Sequence, residues 1–210
     1  MPEPSRETLV LGIGNVLWAD EGFGVRAVEM LHARYAFPAG VELVDGGTLG
    51  LNLLDYVATS RRVLVLDAID FGLAPGTLKV LRDAEVPAWG RRKLSPHQTG
   101  FNDVLALAQL KGSAPESIVA IGVQPVELAD VGGSLRDAVK AQLEPAVRLA
   151  VDQLARWGSP GVARIPGVAF EPLNAHSLSL AAYEAERPSA ETACRIGDDR
   201  VLARLRTGDQ

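Results

Sequence analysis

The stretch Leu9-Val-Leu-Gly-Ile-Gly-Asn-Val-Leu-Trp-Ala-Asp-Glu-Gly-Phe-Gly24 decides how the rest of the chain is interpreted. Its first residues, Leu9 to Leu11, form a short apolar run that predicts a buried strand. Gly12 and Gly14 follow directly, and this spacing is typical of a tight turn in which a Cβ would not fit. We therefore expect a strand that ends in a sharp turn at Gly12.

Two adjacent carboxylates, Asp20 and Glu21, lie between this strand and a predicted helix. The helix is indicated by apolar residues at helical spacing between Val25 and Tyr35. In an open α/β sheet, ligands bind at the edge where strands lead into helices. The alternative interpretation is that the two carboxylates only complement the macrodipole at the N-terminus of the helix.

Strand and helix patterns alternate along most of the chain. Apolar or alternating runs predict further strands at residues 41–45, 63–66, 76–82 and 117–122. Helical patterns lie between and after them, at residues 49–58, from 99 or 102 to 110, and at 135–154. The alternation predicts an α/β fold, a three-layer α/β/α sandwich around a central, mostly parallel, twisted sheet of about five strands.

Polar residues and one proline mark the ends of these predicted helices. We expect Thr48, Ser134 and either Thr99 or Asn102 to act as N-caps. Pro145 lies inside the last helical pattern and predicts a kink or a break there. The alternating run at 76–82 is predicted to be an edge strand.

Residues 1–160 are predicted to form the α/β domain, because residues 161–210 break the pattern. This second segment, called here the C-terminal extension, contains several prolines and a polar mixture with weak periodicity. We expect a partly irregular segment with short helical pieces around residues 177–186.

The composition indicates a globular protein that does not bind nucleic acid. The chain has 210 residues, a formal net charge of −5 and a pI near 5.3, and no basic face stands out. Cys194 is the only cysteine, which excludes an internal disulfide and a cysteine-based zinc site. The first residues lack an apolar signal core, and no apolar run approaches the ~20 residues of a membrane span. We expect a cytoplasmic protein without membrane insertion.

Three side chains are predicted to converge at the carboxyl edge of the sheet. Glu21 follows the first strand, Asp67 ends the third, and His97 lies in a long loop that leads back from the fourth. Two carboxylates and one imidazole suit a divalent first-row metal and leave coordination positions open. Such a metal polarises a carbonyl or activates a water. Asp45, at the end of the second strand, is a fourth candidate at this edge.

Each of these residues also has a purely structural interpretation. Asp67 can hydrogen-bond the backbone of the turn that follows it, and a lone loop histidine such as His97 is more often exposed or structural than a ligand. Trp18 and Phe23 either belong to the core or line a peptide groove, and the core is favoured. The other two histidines, His32 and His176, are assigned to the surface or to packing.

A dinucleotide site is a competing interpretation of the first turn. Gly12-x-Gly14 after a first strand, with Asp45 ending the second, resembles part of a dinucleotide fingerprint. The third position is Leu17 rather than Gly or Ala, and the two adjacent carboxylates would repel a pyrophosphate. No Gly-Lys-Ser/Thr phosphate loop or serine nucleophile elbow occurs, and Cys194 has no matched histidine near it in sequence.

Six segments resemble, in order, the nickel–iron hydrogenase maturation endopeptidases, which trim the C-terminus of the hydrogenase large subunit. They are Leu11-Gly-Ile-Gly-Asn-Val-Leu-Trp-Ala-Asp-Glu-Gly-Phe-Gly24, Val44-Asp-Gly-Gly-Thr48, Leu66-Asp-Ala-Ile-Asp70, Pro75-Gly-Thr77, Ser95-Pro-His-Gln98 and Gly122-Val-Gln-Pro-Val-Glu127. The resemblance implies that Glu21, Asp67 and His97 contact a metal, while Asp45 shapes the site. The C-terminal extension lies outside the shared region.

This resemblance implies a metal-dependent endopeptidase whose partner is the large-subunit precursor of a nickel–iron hydrogenase. Nickel is expected to come with the precursor, where the three residues recognise it, rather than to be held by the protease. We expect a monomer, because a large precursor must dock over the site edge. Two other hypotheses stay open: a chaperone that holds the precursor without cutting it and, less favoured, a dinucleotide-binding oxidoreductase.

Overall fold

The computed structural model describes residues 6–86 and 96–187, without the side chains of residues 96–99. The central sheet consists of β1 (Arg6–Ile13), β3 (Val41–Gly47), β4 (Ser60–Ala68), β5 (Leu78–Arg82) and β6 (Ser117–Val123), while β2 (Tyr35–Ala36) pairs with β7 (Val162–Ala163). The helices are α1 (Phe23–Arg34), α2 (Leu54–Ala58), α3 (Pro96–Leu110), α4 (Asp137–Lys140), α5 (Leu143–Arg156) and α6 (Leu180–Glu186). Within the described ranges, no helix combines the length and apolarity needed to cross a membrane.

The five-stranded sheet has the order β3-β1-β4-β6-β5. Neighbouring strands are parallel except at β5, which runs antiparallel to β6 at the edge. The predicted α/β class, the mostly parallel sheet and the edge position of the fourth predicted strand are therefore confirmed. The physical reason is that the apolar runs at residues 9–11 of β1 and 63–66 of β4 are fully buried, so both sheet faces must be covered by helices.

Two hydrophobic cores lie on opposite faces of the sheet, because successive side chains of a strand point to opposite sides. On one face Val10, Leu64 and Leu66 pack with residues of α1, α4 and α5. On the other face Leu9, Leu11, Val63 and Val65 pack with residues of α2 and α3.

Two of the predicted helix starts are wrong. The segment after β3 begins with a 3-10 turn, Gly50–Leu53, whose N-cap is Leu49 rather than Thr48. Helix α3 begins at Pro96, so Thr99 and Asn102 lie inside it instead of capping it. A proline suits the first position of a helix, because its φ is already helical and its missing N–H would have no helical partner there.

The predicted helix over residues 135–154 is divided into α4 and α5. Arg136 rather than Ser134 is the N-cap of α4, and Ser134 Oγ instead donates to Glu184 Oε1 at 2.8 Å. The break precedes Pro145, which lies in the first turn of α5. N–H groups in the first turn of a helix have no helical acceptor, so a proline at this position removes no helical hydrogen bond. The break therefore puts Pro145 where it destabilises the helix least.

The described part of the C-terminal extension begins with β7 and continues as irregular chain. A 3-10 turn, His176–Leu178, and helix α6 occur where short helical pieces are predicted. Ser179 caps α6, because its side chain accepts a hydrogen bond from Ala182 N. The division of the chain at residue 160 stays a prediction.

Candidate functional site

The carboxyl ends of β3, β1 and β4 lie side by side and bring Asp45 and Asp67 to one edge of the sheet. Gly12 on β1 is in register with Asp45 on β3 and with Leu66 on β4. Asp67 follows Leu66 and is in register with Gly122 on β6. The two carboxylates therefore lie on either side of the end of β1, at the edge where open α/β sheets bind ligands.

Glu21 reaches the same edge through a turn that packs tightly on the strand ends. It lies in a 3-10 segment, Ala19–Gly22, and its backbone N–H donates to Trp18 O at 2.9 Å. A Cβ on Gly14 would overlap the carbonyl oxygen of Glu21, and one on Gly24 would overlap the carbonyl oxygen of Leu66. These glycines allow the turn to cross the ends of β1 and β4, next to Asp67.

Asp67 and Glu21 are both buried. Asp67 is fully buried, and Glu21 is 9% exposed. Asp67 Oδ1 accepts a hydrogen bond from Ala68 N at 2.7 Å, which is the backbone contact that its structural interpretation predicts. A carboxylate in a poorly hydrated site interacts more strongly with a cation than an exposed one does, so buried acids at a binding edge favour a positively charged ligand.

Asp20 has a different role from its neighbour Glu21. It is fully buried, its Oδ2 accepts from Val126 N at 2.8 Å and Glu127 N at 2.9 Å, and its Oδ1 accepts from Arg136 N at 2.7 Å. The carboxylate thus binds the loop after β6 rather than the N-terminus of α1. The macrodipole interpretation is wrong for Asp20, and no local pattern in the sequence indicates these bonds.

Asp45 is half-buried and is fixed by two donors. Its Oδ1 accepts from Gly47 N at 2.9 Å, within its own turn, and its Oδ2 accepts from Asn174 Nδ2 at 2.7 Å. Asn174 belongs to the C-terminal extension, to which the sequence assigned no function. A contact across 129 residues leaves no spacing signal in the sequence.

His97 lies in the first turn of α3, at the start of a helix rather than in the long loop predicted for it. Its side chain is outside the described residues. The backbone nearby is placed: a Cβ on Gly100 would lie 3.2 Å from Gly50 Cα, in the turn that follows β3. The start of α3 therefore packs beside the carboxyl end of the sheet.

The two aromatic residues of the first turn differ in their surroundings. Phe23 is fully buried in the core, which confirms its predicted position. Trp18 is 37% exposed and forms an isolated β-bridge with Val131, so its assignment to the core is wrong.

The glycines of the first turn are explained by packing of the chain on itself. A Cβ on Gly12 would overlap Val28 and the carbonyl oxygen of Gly24, as one on Gly14 would overlap Glu21. Because packing within the chain accounts for these glycines, they give no support to a dinucleotide site. Among the described side chains, no three His, Cys, Asp or Glu residues lie close enough together to hold a metal ion.

The chain is similar in sequence to several known proteins. A model of the hydrogenase maturation protease family matches residues 25–153. The hydrogenase expression/formation protein HupM of Azotobacter chroococcum mcd 1 is 54% identical over 204 residues, which is 97% of each chain. HoxM of Azotobacter vinelandii is 56% identical over 195 residues, covering 92% of this chain and 93% of its own.

A solved structure extends the likeness to the fold. The hydrogenase maturating endopeptidase HybD from E. coli superposes with a TM-score of 0.72 at 42% sequence identity. The match covers 75% of this chain and 98% of HybD. On these matches, the chain is a member of the hydrogenase maturation protease family.

Proposed function

We propose that this protein cuts a C-terminal peptide from the large-subunit precursor of a nickel–iron hydrogenase. We further propose that Glu21, Asp67 and His97 recognise nickel that is already bound in the precursor. The observation that carries the proposal is the glycine-packed turn, which sets the buried Glu21 beside the end of β4, where Asp67 is also buried. Membership of the protease family supplies the reaction class.

The chemistry of the three residues suits a metal that arrives with other ligands. Two carboxylates and an imidazole supply oxygen and nitrogen donors to a divalent ion and leave coordination positions for thiolates of the precursor. Bound nickel can polarise a neighbouring carbonyl. Hydrolysis then adds water across the peptide bond: the water oxygen bonds to the carbonyl carbon, the C–N bond breaks, and a proton passes to the departing amine.

We assign Asp45 to shaping this site rather than to binding the metal. Its two oxygens already accept hydrogen bonds from Gly47 and Asn174. We also propose that the protease is monomeric and acts in the cytoplasm. Cys194, as the only cysteine, forms no internal disulfide, which fits a reducing compartment. A monomer leaves the site edge open to a large precursor.

Substitution of Glu21, Asp67 and His97 tests whether these residues are needed for trimming. Glu21→Gln, Asp67→Asn and His97→Ala are each expected to lower trimming of a nickel-loaded precursor by roughly 100-fold or more, the effect of removing a group that stabilises developing charge. Mass spectrometry of the precursor, with and without nickel, measures the loss of the C-terminal peptide. Trimming by the wild-type protein is expected from the nickel-loaded form alone.

Glu116→Gln is the matched control for the carboxylate variants. Glu116 is exposed and pairs with Arg61 at the opposite edge of the sheet, just before β6, so its variant is expected to keep full activity. Full trimming by Glu21→Gln would contradict the assignment of Glu21 to metal recognition. Binding of the loaded precursor without any cleavage by the wild-type protein would instead support the chaperone hypothesis.

A further inference from the structure

In the described part of the C-terminal extension, the side-chain amide of Asn174 contacts the candidate site. Asn174 Nδ2 lies 2.7 Å from Asp45 Oδ2 and 2.8 Å from Glu29 Oε1 on α1. A primary amide nitrogen carries two hydrogens, so each carboxylate receives one of them. Asn174 therefore bridges the end of β3 and the first helix.

The Asn174 amide supplies a hydrogen-bond donor to each of two carboxylates that lie close together. An ionised carboxylate only accepts hydrogen bonds, and two of them side by side repel each other. Glu29 also pairs with Arg26, whose Nη1 lies 2.9 Å from Glu29 Oε2. For Asp45, Gly47 N and Asn174 Nδ2 are donors from opposite parts of the chain, one for each oxygen.

The chain beyond Asn174 is fixed by further contacts. The buried guanidinium of Arg26 donates to Leu178 O and lies 5.7 Å from the ring centroid of Tyr183. Tyr183 Oη donates to Gly133 O at 3.2 Å. Glu184 accepts from Ser134 and from Lys140, the latter at 2.6 Å. Asn174 thus lies in a segment that is tied to α1 and to the loop before α4.

The length comparison supports a role for the extension. HupM matches 97% of this chain and of itself, whereas HybD matches 75% of this chain over 98% of its own length. The family model ends at residue 153. Part of this chain therefore has no counterpart in HybD, and Asn174, which contacts Asp45, lies beyond the end of the family model.

We propose that Asn174 is a positioning residue that holds the Asp45 carboxylate in the orientation required for precursor cleavage. Its effect on cleavage rests on the proposed function. Asn174→Leu keeps the approximate volume and removes both donors. We expect kcat for trimming to fall about tenfold, as for other groups that orient a functional side chain, with KM changed by less than about twofold.

Two further variants separate positioning from a general structural effect. Lys140→Met removes another anchor of the extension without touching Asp45, and its kcat is expected to match that of the wild type. In an Asp45→Asn background, Asn174→Leu is expected to cause no additional loss, because the two residues act as one unit. Wild-type kcat in Asn174→Leu, or an equal loss in the Asp45→Asn background, would overturn the proposal.

Nuclear magnetic resonance gives a readout that is independent of cleavage. The backbone amide of Gly47 donates to Asp45 Oδ1, so its resonance reports how that carboxylate is oriented. We expect this resonance to shift in Asn174→Leu and to stay in place in Lys140→Met. An unchanged Gly47 amide in Asn174→Leu would refute the positioning role, even if the wild-type protein proved not to cleave the precursor.

Discussion

Two adjacent acids, Asp20 and Glu21, lie in the turn that follows β1 and are both buried. Asp20 is enclosed by three backbone N–H groups from the loop between Val126 and Arg136, so it acts as an internal anchor for that loop. Glu21, one residue later, is buried in the turn that crosses the carboxyl ends of β1 and β4. These three hydrogen bonds give Asp20 a structural role that is separate from the role proposed for Glu21.

Replacing each acid by its amide is expected to affect mainly stability at Asp20 and mainly activity at Glu21. Asp20→Asn replaces one acceptor oxygen with a donor that faces buried N–H groups, and we expect a loss of about 3 kcal/mol in unfolding free energy. Glu21→Gln is expected to lose trimming activity, with a smaller loss of unfolding free energy than Asp20→Asn. Urea denaturation of both variants measures this, and equal stability losses would contradict the separation of roles.

At the scale of elements, the first turn and α1 are positioned by backbone-to-backbone contact. Gly24 at the start of α1 approaches the carbonyl oxygens of Ile13 and Leu66, which belong to β1 and β4. A side chain at this position would separate the helix from both strands. The position of the turn that contains Glu21 therefore depends on this packing contact.

Gly24→Ala is expected to cost about 3 kcal/mol of unfolding free energy, the upper range for overpacking, because the overlapped atoms are backbone oxygens that cannot rotate away. Gly112→Ala is the matched control. Gly112 has a φ of 66° and nothing within 4 Å of an added Cβ, so only backbone strain of about 1 kcal/mol is expected. Thermal unfolding of both variants compares the two costs, and similar values would refute the packing argument.

At the scale of the whole molecule, the C-terminal extension is held to the α/β domain by polar contacts. Burial alone would raise the pKa of Glu184, but hydrogen bonds from Lys140 and Ser134, and the nearby charges of Lys140 and Arg187, leave that pKa below its usual value. A lowered carboxyl pKa in the folded state means that the ionised form stabilises the docked extension.

Stability should therefore depend on pH through Glu184. Its contribution is complete above the unfolded pKa of about 4.3 and is lost as the pH falls through the lower folded pKa. We expect Glu184→Gln to be less stable than the wild type at pH 7 and the difference to shrink below about pH 4. Thermal unfolding from pH 3 to pH 7 measures it, and a difference that grows on acidification would contradict the assigned direction.

The sequence by itself determined the fold class and predicted that the candidate site residues lie at the carboxyl edge of the sheet. Apolar runs ending in Gly12, Asp45 and Asp67 are local signals, and parallel strands place their carboxyl ends together whatever the loops do. The position of Glu21 follows in the same way, since it comes between the first strand and its helix. The metal-binding roles of Glu21, Asp67 and His97 stay predictions.

Only the tertiary structure decided which donors and acceptors meet across the chain. Asp20 binds backbone groups that lie 106 to 116 residues away, and Asp45 binds Asn174 across 129 residues. The start of α3 and the N-cap of α4 also differ from the local pattern. The physical reason is that periodicity and capping preferences report neighbouring residues, whereas a hydrogen bond between distant segments depends on where the folded sheet and helices place them.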